Sequence, residues 1–313
     1  MAVVRKQDAL QAPLFDKRAA LISRVPDFWA LVFEQAPPEI DQYISPSDSA
    51  ALAALSSFQV TRFEIASDTA SGISSNGDPR SVSFKFEFGE NQFFDDKVLE
   101  KKFWHRRAED GWTGLVSEPV KINWKAGKDL TGGMLDMAVR VWERQMTRAH
   151  ATTGGAIQGP VKEYDQLVRR VKQMNAGSVS FFAWFGFRGR DVSAYESARA
   201  TKKEEQRRER VKRNGVVVEG SNDEVDAAEG QAAEGGNGKV KADGSDEDRG
   251  GSEEEIEDED MGDGEVTSPP EMEREIFPGG EDLAVSLSED LFPGAIKYFS
   301  ECNFQADIGT RLM

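Results

Sequence analysis

The fold of this chain is decided by residues 82–103, which read VSFKFEFGENQFFDDKVLEKKF. The first seven residues alternate strictly between apolar and polar side chains, with the apolar set at Val82, Phe84, Phe86 and Phe88. This alternation is typical of a β-strand with one buried face. A second strand is predicted over Val98–Arg107, so the stretch supplies two neighbouring strands.

Two further strands are predicted on either side of this pair. In Phe58–Ile65 the apolar positions change parity, which predicts a β-bulge near Thr61-Arg62. Val120–Trp124 is predicted as the fourth strand, because Val120, Ile122 and Trp124 fall on one face. Four strands at short spacing favour an antiparallel meander whose apolar face is covered by helices, so the predicted fold class is α+β.

Helices are predicted before and after these strands. Residues 5–35 have helical spacing of apolar residues, with Pro13 and Pro26 as breaks or first-turn positions. A second helix is predicted over Ser47–Ser57, with Ser47 as its N-cap. Later helices are predicted over residues 134–149, 163–175 and 281–299, and the last carries an apolar stripe formed by Leu283, Leu287, Leu291 and Phe292.

The charge of the chain is concentrated in one segment. The sequence has 39 Lys and Arg against 56 Asp and Glu, a net charge of −17. Residues 216–275 hold 22 acidic residues and four basic ones, so the remainder is nearly neutral. The segment contains no Leu, Phe, Tyr or Trp, which predicts disorder because it cannot bury a core. Its charge argues against nucleic acid as its partner.

Several function classes lack the residues that they require. One cysteine, Cys302, and two histidines predict no internal disulfide, no metal site and no histidine-based catalysis. His105 has no evident nucleophile partner, and Ala126-Gly127-Lys128 lacks the flanking residues of a phosphate-binding loop. No run of 18 apolar residues predicts a membrane span, and the N-terminus lacks the apolar core of a signal peptide. We therefore expect a non-enzymatic protein without a cofactor, in a reducing compartment.

Two motifs have more than one reading. Residues 180–187, SFFAWFGF, are predicted to pack in the core rather than to form a peptide pocket. Residues 199–213 carry eight basic and three acidic side chains, which predicts a solvated helix. A nuclear import signal, a contact to DNA phosphates and an internal partner for the acidic segment are the alternatives for this helix.

Several blocks of the sequence closely resemble the nucleosome assembly protein family, and within it the SET-type branch of histone chaperones. They occur in family order and are rich in aromatic positions. The blocks are KRAALISRVPDFWALVF (17–33), FGENQFFDDKVLEKK (88–102), INWKAGKDLT (122–131), SFFAWF (180–185) and DLFPGAIKYF (290–299).

This resemblance implies a dimer built on one long antiparallel helix per chain, with an α+β "earmuff" domain at each end. It implies that the acidic underside of the dimer binds core histones, in the nucleus with shuttling to the cytoplasm, and without enzymatic activity. An alternative role on the same fold is inhibition of a protein phosphatase, or scaffolding of a histone-modifying enzyme such as an acetyltransferase.

The resemblance also divides the chain. It implies a dimerisation-type helix over 1–25, an earmuff domain over 26–190 and 277–305, a basic helix over 191–215, a disordered acidic segment over 216–276, and a tail over 306–313. The expected histone-binding residues of the acidic segment are Glu253, Glu254, Glu255, Glu257, Asp258, Glu259 and Asp260. Those expected on the folded domain are Glu118, Asp129, Glu281, Asp282, Glu289 and Asp290.

The sequence departs from the family pattern in three places. Only twelve residues precede Pro13, so the dimerisation helix is expected to span about 18 Å and to weaken the dimer. The acidic run is internal, whereas relatives carry it as a C-terminal tail. Residues 132–179 form a longer insertion than the loop that they replace.

Overall fold

The computed structural model describes residues 2–65, 77–151, 162–173, 179–218 and 275–301. The described residues up to Glu204 and from Glu275 onward belong to one compact unit, and those from Glu205 to Val218 belong to a second. The predicted acidic segment reached residue 276, but Glu275 and Ile276 lie in the first unit, where Ile276 is buried.

A four-stranded antiparallel sheet forms the centre of the first unit. Its strands are β1 (Leu55–Thr61), β2 (Val82–Phe88), β3 (Val98–Arg107) and β4 (Thr113–Ser117), in the spatial order β1-β2-β3-β4. This order confirms the predicted meander and the α+β class. The bounds of β2 and β3 agree with the alternation that predicted them.

The fourth strand was predicted in the wrong place. Residues 120–124 pair only through an isolated bridge between Phe94 and Trp124. Ile122 is buried, and the Val120 N–H donates to the carbonyl oxygen of Phe185 at 2.8 Å, so this stretch packs against the aromatic block. The register irregularity of β1 was also misplaced, because it lies between Leu55 and Ser57 and not near Thr61-Arg62.

Four helices precede the sheet: α1 (Ala2–Ile22), α2 (Phe28–Glu34), α3 (Pro38–Asp41) and α4 (Pro46–Leu52). Pro13 lies inside α1, so it is neither the break nor the first-turn residue that was predicted. Its ring only removes the hydrogen bond that residue 13 would donate to the preceding turn. With 21 residues, α1 is about 31 Å long and exceeds the expected 18 Å.

The N-cap of α4 is Ser45, and not Ser47 as predicted. Its hydroxyl accepts a hydrogen bond from the Asp48 N–H at 3.2 Å, and the Asp48 carboxylate accepts one from the Ser45 N–H at 2.9 Å. This reciprocal pair is a capping box, with Pro46 at the first helical position.

The later helices agree with their predicted positions. They are α5 (Met134–Ala151), α6 (Lys162–Gln173), a 3₁₀ turn over Phe181–Gly186, α7 (Ala194–Val218) and α8 (Gly280–Ser286). The last continues as a π-helical turn over Leu287–Leu291, and residues 295–301 are again helical. Leu283, Leu287 and Leu291 are fully buried, which confirms the predicted stripe.

Aromatic rings fill the space between the sheet and the helices. Phe86 on β2 lies 4.7 Å from Phe58 and 5.6 Å from Phe185, measured between ring centroids. Trp184 packs on Phe84 at 5.2 Å, and its indole N–H donates to the Gly280 carbonyl oxygen at 2.9 Å. All residues of Phe181–Gly186 are buried, so this block is core, as the sequence indicated.

Candidate functional site

The α8 helix and the turn that follows it extend across the sheet from one edge to the other. Near the start, Glu281 Oε1 accepts a hydrogen bond from the Leu115 N–H on β4 at 2.9 Å. Near the end, Glu289 pairs with Arg62, directly after β1, at 2.6 Å. Since β4 and β1 are opposite edges, about 14 Å apart at the usual strand spacing, the acidic residues of this stretch do not converge.

Three of the four carboxylates on this stretch are engaged within the fold: Glu281 with β4, Glu289 with Arg62, and Asp290 with Tyr298. Glu281 is half-buried, and burial raises its pKa above the usual range for a carboxyl. Both carboxylate oxygens of Asp290 lie 2.9 Å from the hydroxyl of Tyr298. Burial, together with this hydrogen bond, raises the pKa of Tyr298 to about 12. Asp282, Glu289 and Asp290 are all exposed, and Asp282 is the one of the four with no such partner among the described residues.

The other two candidates on the folded unit differ in the same way. Asp129 caps the start of α5: its Oδ1 accepts from the N–H and the hydroxyl of Thr131, and its Oδ2 from the Gly133 N–H, all at 2.7 Å. Its carboxylate therefore orders the turn before the helix. Glu118 follows β4 directly and has an exposed side chain, so its carboxylate is accessible.

A buried lysine near β4 was not singled out by the sequence analysis. Lys101 on β3 is 0% exposed. Its Nζ donates to the carbonyl oxygens of Glu118 at 2.7 Å, Phe185 at 3.0 Å and Phe187 at 2.7 Å. Burial lowers the pKa of Lys101 well below the usual range for a lysine. Alternation along β3 places Lys101 on the same face as Leu99 and Phe103, which is the signal in the sequence that could have identified it.

Glu275 lies close to this lysine and was counted with the acidic segment. Its carboxylate accepts hydrogen bonds from the backbone N–H groups of Arg188 at 3.0 Å, Gly189 at 3.1 Å and Phe277 at 3.2 Å. Burial raises the pKa of Glu275 although these bonds oppose the rise. Glu275 thus fixes the chain to the 188–189 turn directly after residues 219–274.

The seven acidic residues predicted between 253 and 260 lie outside the described residues. The structure therefore leaves their role a prediction: Glu253, Glu254, Glu255, Glu257, Asp258, Glu259 and Asp260. The basic run does lie on described residues, in α7, where Lys202, Lys203, Lys212 and Arg213 have exposed side chains. At the start of α7, Arg199 forms an ion pair with Glu109.

One face of α1 carries exposed apolar side chains. Successive residues of an α-helix are rotated by about 100°, which places Val3, Leu10, Leu14 and Leu21 within about 40° of one another around the axis. Their exposed fractions are 77% for Val3, 65% for Leu10, 60% for Leu14 and 67% for Leu21. Exposed apolar side chains that share one helix face are typical of a surface that packs against another chain.

His105 takes part in an ion-pair network. Its Nδ1 lies 3.3 Å from the Asp78 carboxylate. Burial alone would raise the pKa of Asp78, but hydrogen bonds from His105 and Arg80 outweigh it and hold the pKa well below its usual range. The nearby Ser81 hydroxyl donates to Glu64 at 2.7 Å and not to the imidazole, so it is not activated as a nucleophile.

The described ranges contain neither a metal site nor a membrane-spanning helix. No group of three or more His, Cys, Asp or Glu side chains in them is arranged to hold a metal ion. No helix among them is long and apolar enough to cross a lipid bilayer.

Accessible carboxylates, a basic helix and exposed apolar side chains on one helix face are features of the class of proteins that bind other macromolecules. The chain belongs to the nucleosome assembly protein (NAP) family, whose model matches residues 5–219.

Among the curated proteins, a nucleosome assembly protein of Schizosaccharomyces pombe is 33% identical over 138 residues, covering 41% of this chain and 52% of the relative. Protein SET of Drosophila melanogaster is 34% identical over 134 residues, covering 42% and 44%. The chain thus spans about half the length of the curated relatives it matches. Among solved structures, the Vps75 histone chaperone is 18% identical, with a TM-score of 0.49 and coverage of 96% of this chain and 90% of that one.

Proposed function

We propose that this chain is a histone chaperone that binds core histones and shields their basic surfaces during nucleosome assembly and disassembly. The observation that carries the proposal is membership of the NAP family together with the charge of residues 216–275, which contain 22 acidic residues and four basic ones. Histones present dense Lys and Arg surfaces. Carboxylates spaced within a Debye length of about 8 Å act on such a surface together, while each contact stays weak enough to be reversible.

The folded unit is proposed to contribute a smaller share of the binding. Glu118, Asp282 and Glu289 have exposed side chains and can meet a basic partner, although Glu289 shares its charge with Arg62. Asp129 accepts hydrogen bonds from Thr131 and Gly133 at the start of α5, and Glu281 is bonded to β4, so both support the fold instead. The dominant contacts are assigned to the seven carboxylates between residues 253 and 260.

We further propose that the chain forms a homodimer through the apolar stripe of α1. Val3, Leu10, Leu14 and Leu21 expose 60% or more of their surface, and burying such side chains is favourable by about 25 cal/mol per Å². The 21-residue helix is long enough for an antiparallel partner of the same kind. The Lys- and Arg-rich run in α7 supports a nuclear location, because clusters of this composition act as import signals.

A histone-shielding assay tests the main proposal. Core histones and DNA are mixed at physiological salt, and aggregation is followed by light scattering with and without the full-length chain. We expect protection, and we expect it to fall at least fivefold when the seven acidic residues at 253–260 are changed to their amides. Changing Glu118, Asp282 and Glu289 to amides is the matched control and should have a smaller effect. A chain that gives no protection in any form contradicts the proposal.

The competing proposal is that the same fold inhibits a phosphatase or holds a histone acetyltransferase. It is supported by the similarity to a protein named SET. The two proposals differ in their dependence on charge: a phosphatase assay with the same amide variants should show undiminished inhibition if a folded surface is responsible. Loss of histone protection without loss of inhibition would assign the two activities to different surfaces.

A further inference from the structure

The two edges of the sheet are treated differently by the fold. On β4 the outward-facing N–H groups of Leu115 and Ser117 are satisfied, because Leu115 donates to Glu281 Oε1 at 2.9 Å and Ser117 donates to the Arg188 carbonyl oxygen at 2.8 Å. An edge that is bonded in this way cannot accept another strand.

The β1 edge is open. Along an antiparallel strand, successive residues direct their backbone hydrogen-bonding groups to opposite sides. The Phe88 N–H donates to the Lys97 carbonyl oxygen, so the even-numbered residues of β2 bond to β3 and the odd-numbered ones bond to β1. In the β1–β2 register, Gln59 opposite Lys85 is therefore a bonded pair, and Phe58 and Val60 direct their N–H and C=O groups away from β2. Within the described ranges, these groups have no backbone or side-chain partner.

A groove runs along this open edge. It has a volume of about 1060 Å³, with residues 56–62 along one wall and α1 along the other. Alanines at 9, 12 and 19 keep the helix wall low, and Phe15, Trp29 and Phe292 line the interior. A seven-residue strand is about 24 Å long. Since residues 56–62 all line it, the groove follows β1 for nearly this whole length.

The groove also has a charge preference at one point. Asp8 lines it and is half-buried, and within the described part of the chain no hydrogen bond or ion pair satisfies its carboxylate. Burial raises the pKa of Asp8, and Arg62 only partly offsets this. Arg62 is itself paired with Glu289, so it does not neutralise Asp8. The other cations that line the groove, Arg5 and Arg18, donate to the carbonyl oxygens of Gly77 and Phe292. A ligand cation beside Asp8 would supply the missing partner.

We propose that this groove binds an extended peptide, which adds to β1 as a fifth strand, places apolar side chains at alternate positions toward Phe15 and Trp29, and sets a lysine beside Asp8. Backbone pairing with Phe58 and Val60 gives the affinity, and the alternate side chains give the selectivity. The proposal goes beyond the histone chaperone function and does not depend on it, since its ligand is an apolar strand with a single basic residue and not a dense basic surface.

Fluorescence anisotropy with a synthetic peptide tests the proposal on the full chain. The probe is a labelled, end-blocked heptapeptide that alternates Val and Thr around one central Lys. Ala19→Trp fills the groove from the helix side and should weaken binding at least tenfold, whereas Ala20→Trp, on a neighbouring residue outside the groove, should leave it unchanged. Val60→Pro removes an outward N–H without removing a β1–β2 hydrogen bond, and should also weaken binding at least tenfold.

Residue-resolved hydrogen exchange gives a direct readout of the added strand. Saturating peptide should slow exchange of the Phe58 and Val60 amides at least tenfold and leave Leu115 unchanged. The contact between the peptide lysine and Asp8 is tested with Asp8→Asn and with a peptide in which norleucine replaces the lysine. Each change alone should weaken binding threefold or more, and combining them should weaken binding no further than either one alone. The proposal would be overturned if the peptide did not bind, or if Ala20→Trp weakened binding as much as Ala19→Trp. It would also be overturned if the peptide bound only to a monomeric Leu14→Asp chain, because a second copy of the chain would then occupy the groove.

Discussion

Replacing Lys101 by Met should destabilise the folded unit, although it removes a buried charge. The ammonium donates to three carbonyl oxygens at 2.7–3.0 Å. In the variant, the Phe185 oxygen keeps its bond from the Val120 N–H, but the Phe187 oxygen loses the donor that Lys101 supplied. The Glu118 oxygen keeps only a weak contact from Ser117 at 3.4 Å. A buried polar group without a partner costs about 1–3 kcal/mol, so two such groups cost about 2–6 kcal/mol.

Removing the ammonium also relieves its desolvation, which reduces this cost. We therefore expect a net loss of about 3 kcal/mol in the free energy of unfolding. A unit of this size shifts its thermal midpoint by about 2–4 °C per kcal/mol, so the midpoint should fall by about 6–12 °C. Calorimetry or circular dichroism on the full chain measures this shift.

The matched control is Lys102→Met on the same strand. The Lys102 side chain is 43% exposed and pairs with an exposed Glu100 at 3.3 Å, so its loss should change the free energy of unfolding by no more than about 0.5 kcal/mol. If Lys101→Met unfolds at the same temperature as Lys102→Met, the ammonium does not hold β3 to the 185–187 backbone and the reasoning is refuted.

The pH dependence gives a second check on the same residue. Burial lowers the pKa of Lys101 in the folded chain, so the folded state binds fewer protons at this site than the unfolded state. The stability of the wild-type chain relative to Lys101→Met should therefore increase as the pH rises toward the unfolded value of about 10.4. A difference that shrinks over this range would contradict the assignment.

Three further substitutions have outcomes fixed by single contacts. Leu14→Asp puts a charge into the exposed apolar stripe of α1 and should convert a dimer to a monomer in sedimentation velocity, with the far-UV circular dichroism spectrum unchanged. Ser45→Ala removes one half of the capping box with Asp48 and should cost about 1 kcal/mol in urea unfolding. Glu281→Ala leaves the Leu115 N–H without its acceptor and should cost about 1–2 kcal/mol, whereas Glu281→Gln, which keeps an accepting oxygen, should cost less.

The parts of the fold that the sequence predicted are those with strong periodicity. In β2 every second side chain is a buried aromatic or valine, and alternation of this strength has no helical interpretation. The last helix was predicted from a similarly regular pattern, because Leu283, Leu287 and Leu291 recur at helical spacing. β4 was missed because its five residues, TGLVS, contain one Gly and only two apolar side chains, while residues 120–124 alternate without entering the ladder.

The candidate site was harder to predict, because accessible and structural carboxylates differ only in whether they accept backbone hydrogen bonds. The sequence pattern does not show which carboxylates do so. Asp129 and Glu281 resemble Glu118 and Asp282 in sequence, yet the first two accept backbone hydrogen bonds at 2.7 and 2.9 Å. Which N–H points outward from β4 is fixed only when the register of the sheet is known. The burial of Lys101 likewise depends on the position of residues 185–187, more than 80 positions away.

The α1 helix allows the two proposed interactions of this chain to be separated. Leu14 lies on the apolar stripe and Ala19 lines the groove, and at about 100° per residue their side chains point in directions about 140° apart. A second copy paired along the stripe therefore need not cover the groove. Ala19→Trp should leave the sedimentation coefficient unchanged, and Leu14→Asp should leave the peptide affinity unchanged. If either substitution alters both properties, the two faces of α1 are coupled, and dimerisation and strand addition must be treated as a single equilibrium.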